Sequence, residues 1–221
     1  MTANHPTNPW PNGAKCAISF TMDNLGEAQD VNKGLWPSDK PIGQHPSSWS
    51  LHVYPDAVRA LRDRGHEVAW HGYQHETWHQ LSGEGKEEEA SFARSFAEAA
   101  AHGVFGISDG VVVLPFLWET VDAFWYMPKF ASIRKQHGVS EEPLGPGEFR
   151  EYLFGKFDEV KRDGGYISIL FHPFLQTSED RFEVLREVLA RISSDDEIWC
   201  APCGEVATWV REHASQFGFE A

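Results

Sequence analysis

The chain has 221 residues, which suits one domain with a substantial core, and it carries a formal charge of −14 at pH 7. Nucleic acids and anionic membranes would repel such a chain, so we expect neither as a partner. The first residues lack a basic segment and an apolar run, and the odd number of cysteines, 3, suits a reducing compartment. We therefore expect a cytoplasmic protein.

The first predicted strand, Cys16–Met22, is mostly apolar and runs directly into Asp23 and Asn24. A long irregular segment, Leu25–Ser50, follows and is rich in glycine and proline. Loops of this length inside a compact domain are usually functional or disordered. The sequence therefore predicts polar side chains at the end of a buried strand, beside a long loop.

A second strand leads to a pair of histidines. A helix opened by a proline and closed by a glycine is predicted for Asp56–Arg64, and a buried strand for Glu67–Trp70. His71 and His75 follow at once. Residues four apart share one face of a helical turn, so two imidazoles in this spacing can bind one divalent ion, with a carboxylate from elsewhere completing the set. The alternative is a solvated pair of histidines.

Helices and strands alternate along the rest of the chain, which indicates a parallel α/β fold. The predicted helices are Ser82–Ala101, Gly147–Arg162, Glu179–Ile192 and a final helix to His213, and the predicted strands are Val104–Phe105, Val111–Leu114, Tyr166–Phe171 and Glu197–Cys200. The third of these strands ends abruptly at His172-Pro173, because proline cannot continue a strand. In α/β barrels, chemistry collects at the carboxyl ends of the strands.

Three motifs in this order resemble the polysaccharide deacetylases of the NodB-homology type, also called carbohydrate esterase family 4. Phe20–Asn24 stands where the family has Thr-Phe-Asp-Asp-Gly, His71–His75 fits its His-(Ser/Thr)-x-x-His motif, and Leu170–Pro173 fits its Leu-x-His block. The resemblance covers nearly the whole chain and is closest to the branch that includes allantoinases and imide-cleaving enzymes. It implies a distorted (β/α)7-type barrel formed by a single catalytic domain over residues 1–221.

The resemblance also implies a metal-dependent hydrolase of non-peptide carbon–nitrogen bonds. Its cofactor would be zinc or another divalent metal, held by His71, His75 and either Asp23 or Asn24. Asp23 is the expected general base, unless it binds the metal and another acid in the following loop supplies the base. The preferred reaction is N-deacetylation of an N-acetylated carbohydrate. Hydrolysis of a cyclic imide or ureide is the alternative, so the expected partner is a carbohydrate or small-molecule substrate.

His172 is the implied general acid, which protonates the leaving amine. The segment from Leu114 to Asp122 resembles the family's Asp-x-x-Asp-Trp region, whose acid orients the catalytic histidine. Asp122 is the preferred equivalent and Glu119 the alternative. Without the resemblance, His172 reads as a core histidine and Asp122 as a surface acid. The aromatic residues Phe124, Trp125, Tyr126 and Phe130 are expected to line the site or to form a dimer face, which leaves a homo-oligomer open.

Two departures from the family stand out. Asn24 occupies the place of the usual metal-binding aspartate, and a carboxamide is a weaker ligand than a carboxylate, so a ligand-binding barrel with impaired catalysis is an alternative. A βα segment with an arginine-containing loop is also missing near residues 103–106. Either the deletion is natural or the sequence omits a segment; we favour omission and expect a chain break beside Gly103 or Val104.

Overall fold

The computed structural model describes residues 8–23, 55–69, 112 and 114–217. The chain divides into two units, one formed by residues 1–22 and 112–221 and the other by residues 23–111. The strands of the described ranges all lie in the first unit. The single domain over residues 1–221 that the sequence predicts stays a prediction.

A parallel sheet forms the centre of the first unit. Within the described ranges it has three strands, β1 at Cys16–Met22, β2 at Tyr166–Phe171 and β3 at Ile198–Cys200, in the order β2-β1-β3. Both β2 and β3 pair in parallel with β1. The carboxyl ends of β1 and β2 therefore lie at the same edge of the sheet, and Met22 is directly opposite Phe171.

Within the first unit, helices pack against this sheet. In chain order the α-helices of the described ranges are α1 (Pro55–Asp63), α2 (Asp122–Tyr126), α3 (Ala131–Gln136), α4 (Pro146–Asp163), α5 (Glu179–Ser193) and α6 (Cys203–Glu212). Short 3-10 turns occupy Pro11–Gly13, Trp118–Thr120, Pro128–Phe130, Pro173–Leu175 and Ala214–Phe217. Helix α1 belongs to the second unit, and the other helices belong to the first.

The longest helix, α4, shows how local sequence sets these boundaries. Pro146 occupies the first helical position, where its missing N–H costs nothing. Gly164 ends the helix with φ +76°, a left-handed conformation that suits glycine, and its N–H donates to the carbonyl of Val160. Between these ends an apolar stripe faces the core: Phe149, Leu153, Phe157 and Val160.

The two faces of the sheet are covered by different clusters, because successive strand residues point to opposite sides. Ile18, Ile169 and Phe171 are buried in the larger cluster, together with the apolar residues of α2, α4 and α5. Ala17 is buried on the other face with Trp10 and residues of α6. Burial of each large side chain contributes about 1.5–3 kcal/mol, so both faces stabilise the sheet.

Much of the predicted secondary structure is confirmed. Strands β1 and β2 have the predicted ends, and α4 begins and ends one residue outside the predicted helix Gly147–Arg162. Strand β3 is one residue shorter than predicted. The mixed α/β class and its parallel sheet are therefore confirmed.

Two predicted strands are wrong in their described parts. Glu67–Ala69 form no strand, and Glu67 and Ala69 are exposed, whereas a buried strand was predicted. Val112 and Leu114 also lie outside any strand. Apolar, β-branched composition predicts a preference for burial, but a strand also requires a partner in the correct register, which a local pattern does not specify.

The remaining predictions fall outside the described residues. These are the helix Ser82–Ala101, the strand Val104–Phe105 and the missing segment near residues 103–106 with its chain break. Closure of a (β/α)7-type barrel likewise stays a prediction.

Candidate active site

The segment before α2 runs alongside β2, on the side away from β1. Val121 forms a parallel bridge with Leu170, and the hydroxyl of Thr120 donates to the carbonyl of Ser168 at 2.7 Å. This bridge aligns the start of α2 with the carboxyl end of β2. Asp122, the first residue of α2, and His172, which directly follows β2, consequently come together.

Asp122 and His172 form a buried pair with two contacts. Oδ1 of Asp122 lies 2.6 Å from Nδ1 of His172, and Oδ2 accepts the backbone N–H of His172 at 2.7 Å. Asp122 is 0% exposed and His172 is 8% exposed. The double contact fixes both the position of the ring and its rotation, since the same carboxylate binds the backbone and the side chain of one residue. Nε2 has no protein partner within the described ranges, which leaves this nitrogen available for proton transfer.

A third donor completes the surroundings of the Asp122 carboxylate. Gln176 follows the 3-10 turn Pro173–Leu175, and its Nε2 donates to Oδ2 of Asp122 at 2.6 Å. The ring of Phe174 lies beside that of His172, with centroids 5.3 Å apart. The pair therefore contacts hydrogen-bond donors at the carboxylate and an aromatic ring at the imidazole.

Tyr126 and Arg181 lie next to this carboxylate. The Arg181 guanidinium is 4.4 Å from the centre of the Tyr126 ring, and its Nη1 donates to the carbonyl of Leu175 at 3.2 Å. Burial, and secondarily the negative charge of Asp122, raises the pKa of the Tyr126 hydroxyl. That hydroxyl is buried, and no described residue forms a hydrogen bond with it. At neutral pH it is therefore a phenol, with one buried hydrogen that it can still donate.

Arg134, a fully buried residue of α3, anchors helix α2 through its guanidinium. Its guanidinium donates to four backbone carbonyls, those of Phe124, Met127, Ser140 and Glu141. Five N–H groups in a planar fork allow one arginine to bridge several acceptors. Arg134 thus ties the end of the Asp122 helix to the loop after α3.

Glu119, the alternative partner for His172, pairs with a different histidine. Its Oε1 lies 2.6 Å from Nδ1 of His137, and both side chains are partly exposed, 20% for Glu119 and 34% for His137. The structure therefore places Asp122, and not Glu119, against His172. The catalytic roles of Asp122 and His172 stay predictions.

The aromatic residues after Asp122 lie inside the first unit. Phe124 is 0% exposed, and Trp125 and Tyr126 are each 5% exposed. Trp125 also donates its indole N–H to the carbonyl of Glu119 at 2.8 Å. The prediction of a dimer face made of these three side chains is therefore wrong, because they are already buried within one chain. Phe130 is partly buried and packs against the same cluster.

The predicted metal ligands are described only in part. Asp23 directly follows β1 and is partly buried, whereas His71, His75 and Asn24 lie outside the described residues. In the ranges that the structure describes, no group of three or more His, Cys, Asp or Glu side chains could hold a metal ion. Two imidazoles and a carboxylate match the donor chemistry of zinc, so the predicted ligands suit the ion by residue type.

Sequence reasoning missed Gln176 and Arg134. Gln176 follows the candidate acid by four residues, the spacing of one turn, and this is the only local signal for it. Arg134 is preceded by Ile133 and followed by Lys135, so nothing in the local pattern distinguishes it from a solvated base.

Membrane insertion has no support in the described helices. Over the ranges that the structure describes, none combines the length and the apolar character needed to cross a bilayer.

No protein-family model and no curated protein sequence matches the chain. Solved structures do match it. A Mycobacterium smegmatis protein assigned as a polysaccharide deacetylase has a TM-score of 0.68 at 20% identity, with 97% of this chain and 96% of that chain covered. The PuuE allantoinase has a TM-score of 0.67 at 16% identity, with 95% of each chain covered.

A Pseudomonas aeruginosa PAO1 protein assigned as a polysaccharide deacetylase has a TM-score of 0.64 at 18% identity, with 95% of this chain and 96% of that chain covered. Identities this low establish similarity of fold and not of activity. The resemblance to the NodB-homology proteins is confirmed at that level: the chain has the fold shared by these polysaccharide deacetylase and allantoinase structures.

Proposed function

We propose that this protein is a metal-dependent hydrolase of non-peptide carbon–nitrogen bonds, and that it removes the acetyl group from an N-acetylated carbohydrate. The observation that carries the proposal is the buried Asp122–His172 pair at the carboxyl end of β2. In α/β folds this end of the sheet is where catalytic groups collect.

His172 is the general acid of the proposed reaction. Because Asp122 occupies Nδ1, the exchangeable proton of His172 lies on Nε2, from which it is transferred to the leaving amine nitrogen. The second contact, from the His172 backbone N–H to Asp122, keeps the ring from rotating away. Such positioned proton transfer contributes about 10²- to 10⁴-fold to a rate.

His71, His75 and either Asp23 or Asn24 are the proposed metal ligands. A divalent metal held there would supply Lewis-acid activation of water and of the acyl carbonyl. Asp23 accepts the proton of the attacking water if it is not a ligand. Two imidazoles and one oxygen donor form a ligand set found in catalytic zinc sites, which keep an open coordination position.

A cyclic imide or ureide is the second candidate substrate. The similarity to the PuuE allantoinase, with a TM-score of 0.67 and 95% of both chains covered, favours it. The chemistry is the same in outline, because an acyl carbonyl is attacked and a nitrogen leaves with a proton from His172. Only the position of the carbonyl, inside a ring or outside it, differs.

The test compares two histidine–carboxylate pairs of equal Nδ1–oxygen distance, 2.6 Å in both His172–Asp122 and His137–Glu119. Zinc-loaded protein is assayed for acetate release from N-acetylglucosamine oligomers and for ring opening of allantoin. We expect His172→Gln to lower kcat by about 10²-fold or more, and His137→Gln to leave it unchanged.

Metal content is measured in the same preparations by elemental analysis. We expect about one zinc per chain, lost in His71→Ala. Zinc binding without turnover of either substrate would replace the proposal with a ligand-binding barrel of impaired catalysis. Equal loss of activity in the two histidine variants would contradict the role of His172.

A further inference from the structure

We infer that Gln176 is a positioning residue that holds Asp122 as a hydrogen-bond acceptor and thereby sets the tautomer of His172. The inference rests on the proposed function, in which His172 delivers a proton from Nε2. It begins with the path of the chain after β2, where the 3-10 turn Pro173–Leu175 brings Gln176 back toward the residue that precedes the turn. The backbone N–H of Leu175 closes this turn on the His172 carbonyl at 3.0 Å.

The amide group of Gln176 bridges the two members of the pair. Its Nε2 donates one hydrogen to Oδ2 of Asp122 at 2.6 Å and the other to the backbone carbonyl of His172 at 3.3 Å. Reversing the amide would place its oxygen against two acceptors. The NH₂ group is therefore the end that faces Asp122.

Within the described residues, two of the three contacts of the Asp122 carboxylate are with groups that can only donate. Oδ2 accepts from the Gln176 amide and from the His172 backbone, and Oδ1 faces Nδ1 of His172. Asp122 is 0% exposed, so water does not compete for these positions. A carboxylate surrounded in this way can only accept, which requires the hydrogen of the neutral imidazole to lie on Nδ1. Nε2 is left as the nitrogen that exchanges a proton with substrate.

The carbonyl end of the Gln176 amide indicates that this side chain does more than stabilise the fold. Oε1 of Gln176 is buried and has no hydrogen-bond partner among the residues that the structure describes. A buried acceptor without a partner opposes folding, whereas an apolar side chain of similar length would avoid this cost. We therefore expect activity and stability to respond differently when the amide is removed.

The experiment uses two variants and a matched control in the full-length, zinc-loaded protein. Gln176→Met removes both hydrogens with little change in length, and Gln176→Glu replaces the donor by a second carboxylate. Gln136→Met makes the first of these changes at the exposed end of α3. Acetate release from N-acetylglucosamine oligomers gives kcat and KM separately. Long-range ¹H–¹⁵N spectra of histidine-labelled protein report which nitrogen of His172 carries hydrogen, with His172→Gln providing the assignment.

We expect Gln176→Met to lower kcat by about 10- to 100-fold, as the loss of an orienting partner of a catalytic group does, while KM changes by less than about twofold. Its melting temperature should stay within about 3 °C of the wild type. The His172 signal should change from the Nδ1-protonated form to a mixture of both tautomers, and Gln176→Glu should show the same signature. Gln136→Met should match the wild type in every measurement.

An unchanged tautomer in both Gln176 variants would overturn the inference. A loss of kcat that accompanies a comparable loss of folded protein would do the same, because it would show a merely structural role. The spectra need no substrate. If the wild-type protein turned over no substrate, the proposed hydrolase function would be wrong. The tautomer of His172 would still test the role of Gln176.

Discussion

Pairs of oppositely charged or ionisable side chains lie at both ends of the parallel sheet, and the pairs differ in their exposure to solvent. At the amino end, Lys15 pairs with Glu197, with side chains 54% and 47% exposed, and Lys161 pairs with Asp195 at 2.7 Å. At the carboxyl end, Asp122 and His172 are 0% and 10% exposed in their side chains. Ion pairs in contact with water contribute little to stability, whereas a buried pair must be fully hydrogen-bonded to persist. One end therefore has the exposed pair Lys15–Glu197, of small effect on stability, and the more enclosed pair Lys161–Asp195, whose side chains are 15% and 16% exposed. The other end has the buried Asp122–His172 pair.

Removal of the Asp122 charge should have the largest effect. In Asp122→Asn the side chain no longer has two acceptor oxygens for the three donors around it, so the His172 ring loses its fixed tautomer. We expect kcat to fall by about 10²- to 10⁴-fold. The measurement is acetate release from N-acetylglucosamine oligomers, with Glu119→Gln as the control in the exposed pair. A similar fall in the control would remove the distinction between the two pairs.

Removal of Arg134, the buried residue that anchors α2, should have the next largest effect, a loss of stability. Arg134→Met leaves four backbone carbonyls without their donor. We expect the free energy of unfolding to fall by about 3–5 kcal/mol, measured by urea denaturation. Arg162→Met is the control, because Arg162 is 69% exposed in its side chain. A change of more than about 1 kcal/mol in the control would show that loss of positive charge, and not loss of the bridge, causes the effect.

At the amino end we expect a small, pH-dependent effect. A hydrogen bond from Lys161 lowers the pKa of Asp195 in the folded protein. A lowered pKa stabilises the fold at pH values above the unfolded pKa, and this contribution disappears as the pH falls through the folded pKa. Asp195→Asn should therefore cost about 1 kcal/mol at pH 7 and progressively less below about pH 4. Urea denaturation at several pH values measures this, and a cost that grows at low pH would reverse the assignment.

The smallest effect concerns two thiols at opposite ends of the sheet. Burial raises the pKa of Cys16, at the start of β1, to about 12. Burial of the thiol also raises the pKa of Cys200, at the end of β3, but this residue is exposed and remains accessible to a reagent. A thiol reagent at pH 8 should therefore label Cys200 in the folded protein and Cys16 only after unfolding. Because Cys203 is partly exposed, the comparison is made in a Cys203→Ser background, in which Cys200→Ser should abolish the fast labelling phase. Rapid labelling of Cys16 in folded protein would mean that the start of β1 opens readily.

Local signals in the sequence predicted the elements that are built from local rules. Strand β2 follows from its apolar run and the proline after His172. The predicted helix Gly147–Arg162 lies within α4, whose ends at Pro146 and Gly164 the structure shows. The contact between Asp122 and His172 was predicted from a family resemblance. Fifty residues separate them in the chain, so no local pattern could bring them together.

The wrongly predicted strand and the two residues that sequence reasoning missed share a physical cause. Glu67–Ala69 have strand-like composition but no ladder, because pairing depends on a partner strand elsewhere in the chain. The sequence alone suggests that Arg134 is a surface base. Its acceptors are backbone carbonyls, which every residue has, so the residue types around it do not reveal them. The role of Gln176 depends on the direction of a turn, which its sequence of Pro-Phe-Leu does not specify.

The bonds of Arg134 also bear on how this molecule can change. A guanidinium that binds only backbone oxygens makes no demand on the side chains at those positions. Substitutions at Phe124, Met127 or Glu141 therefore leave the anchor intact as long as the main chain keeps its course. The position of the Asp122 carboxylate against His172 therefore depends on the course of the main chain of α2 more than on the side chains at these three positions.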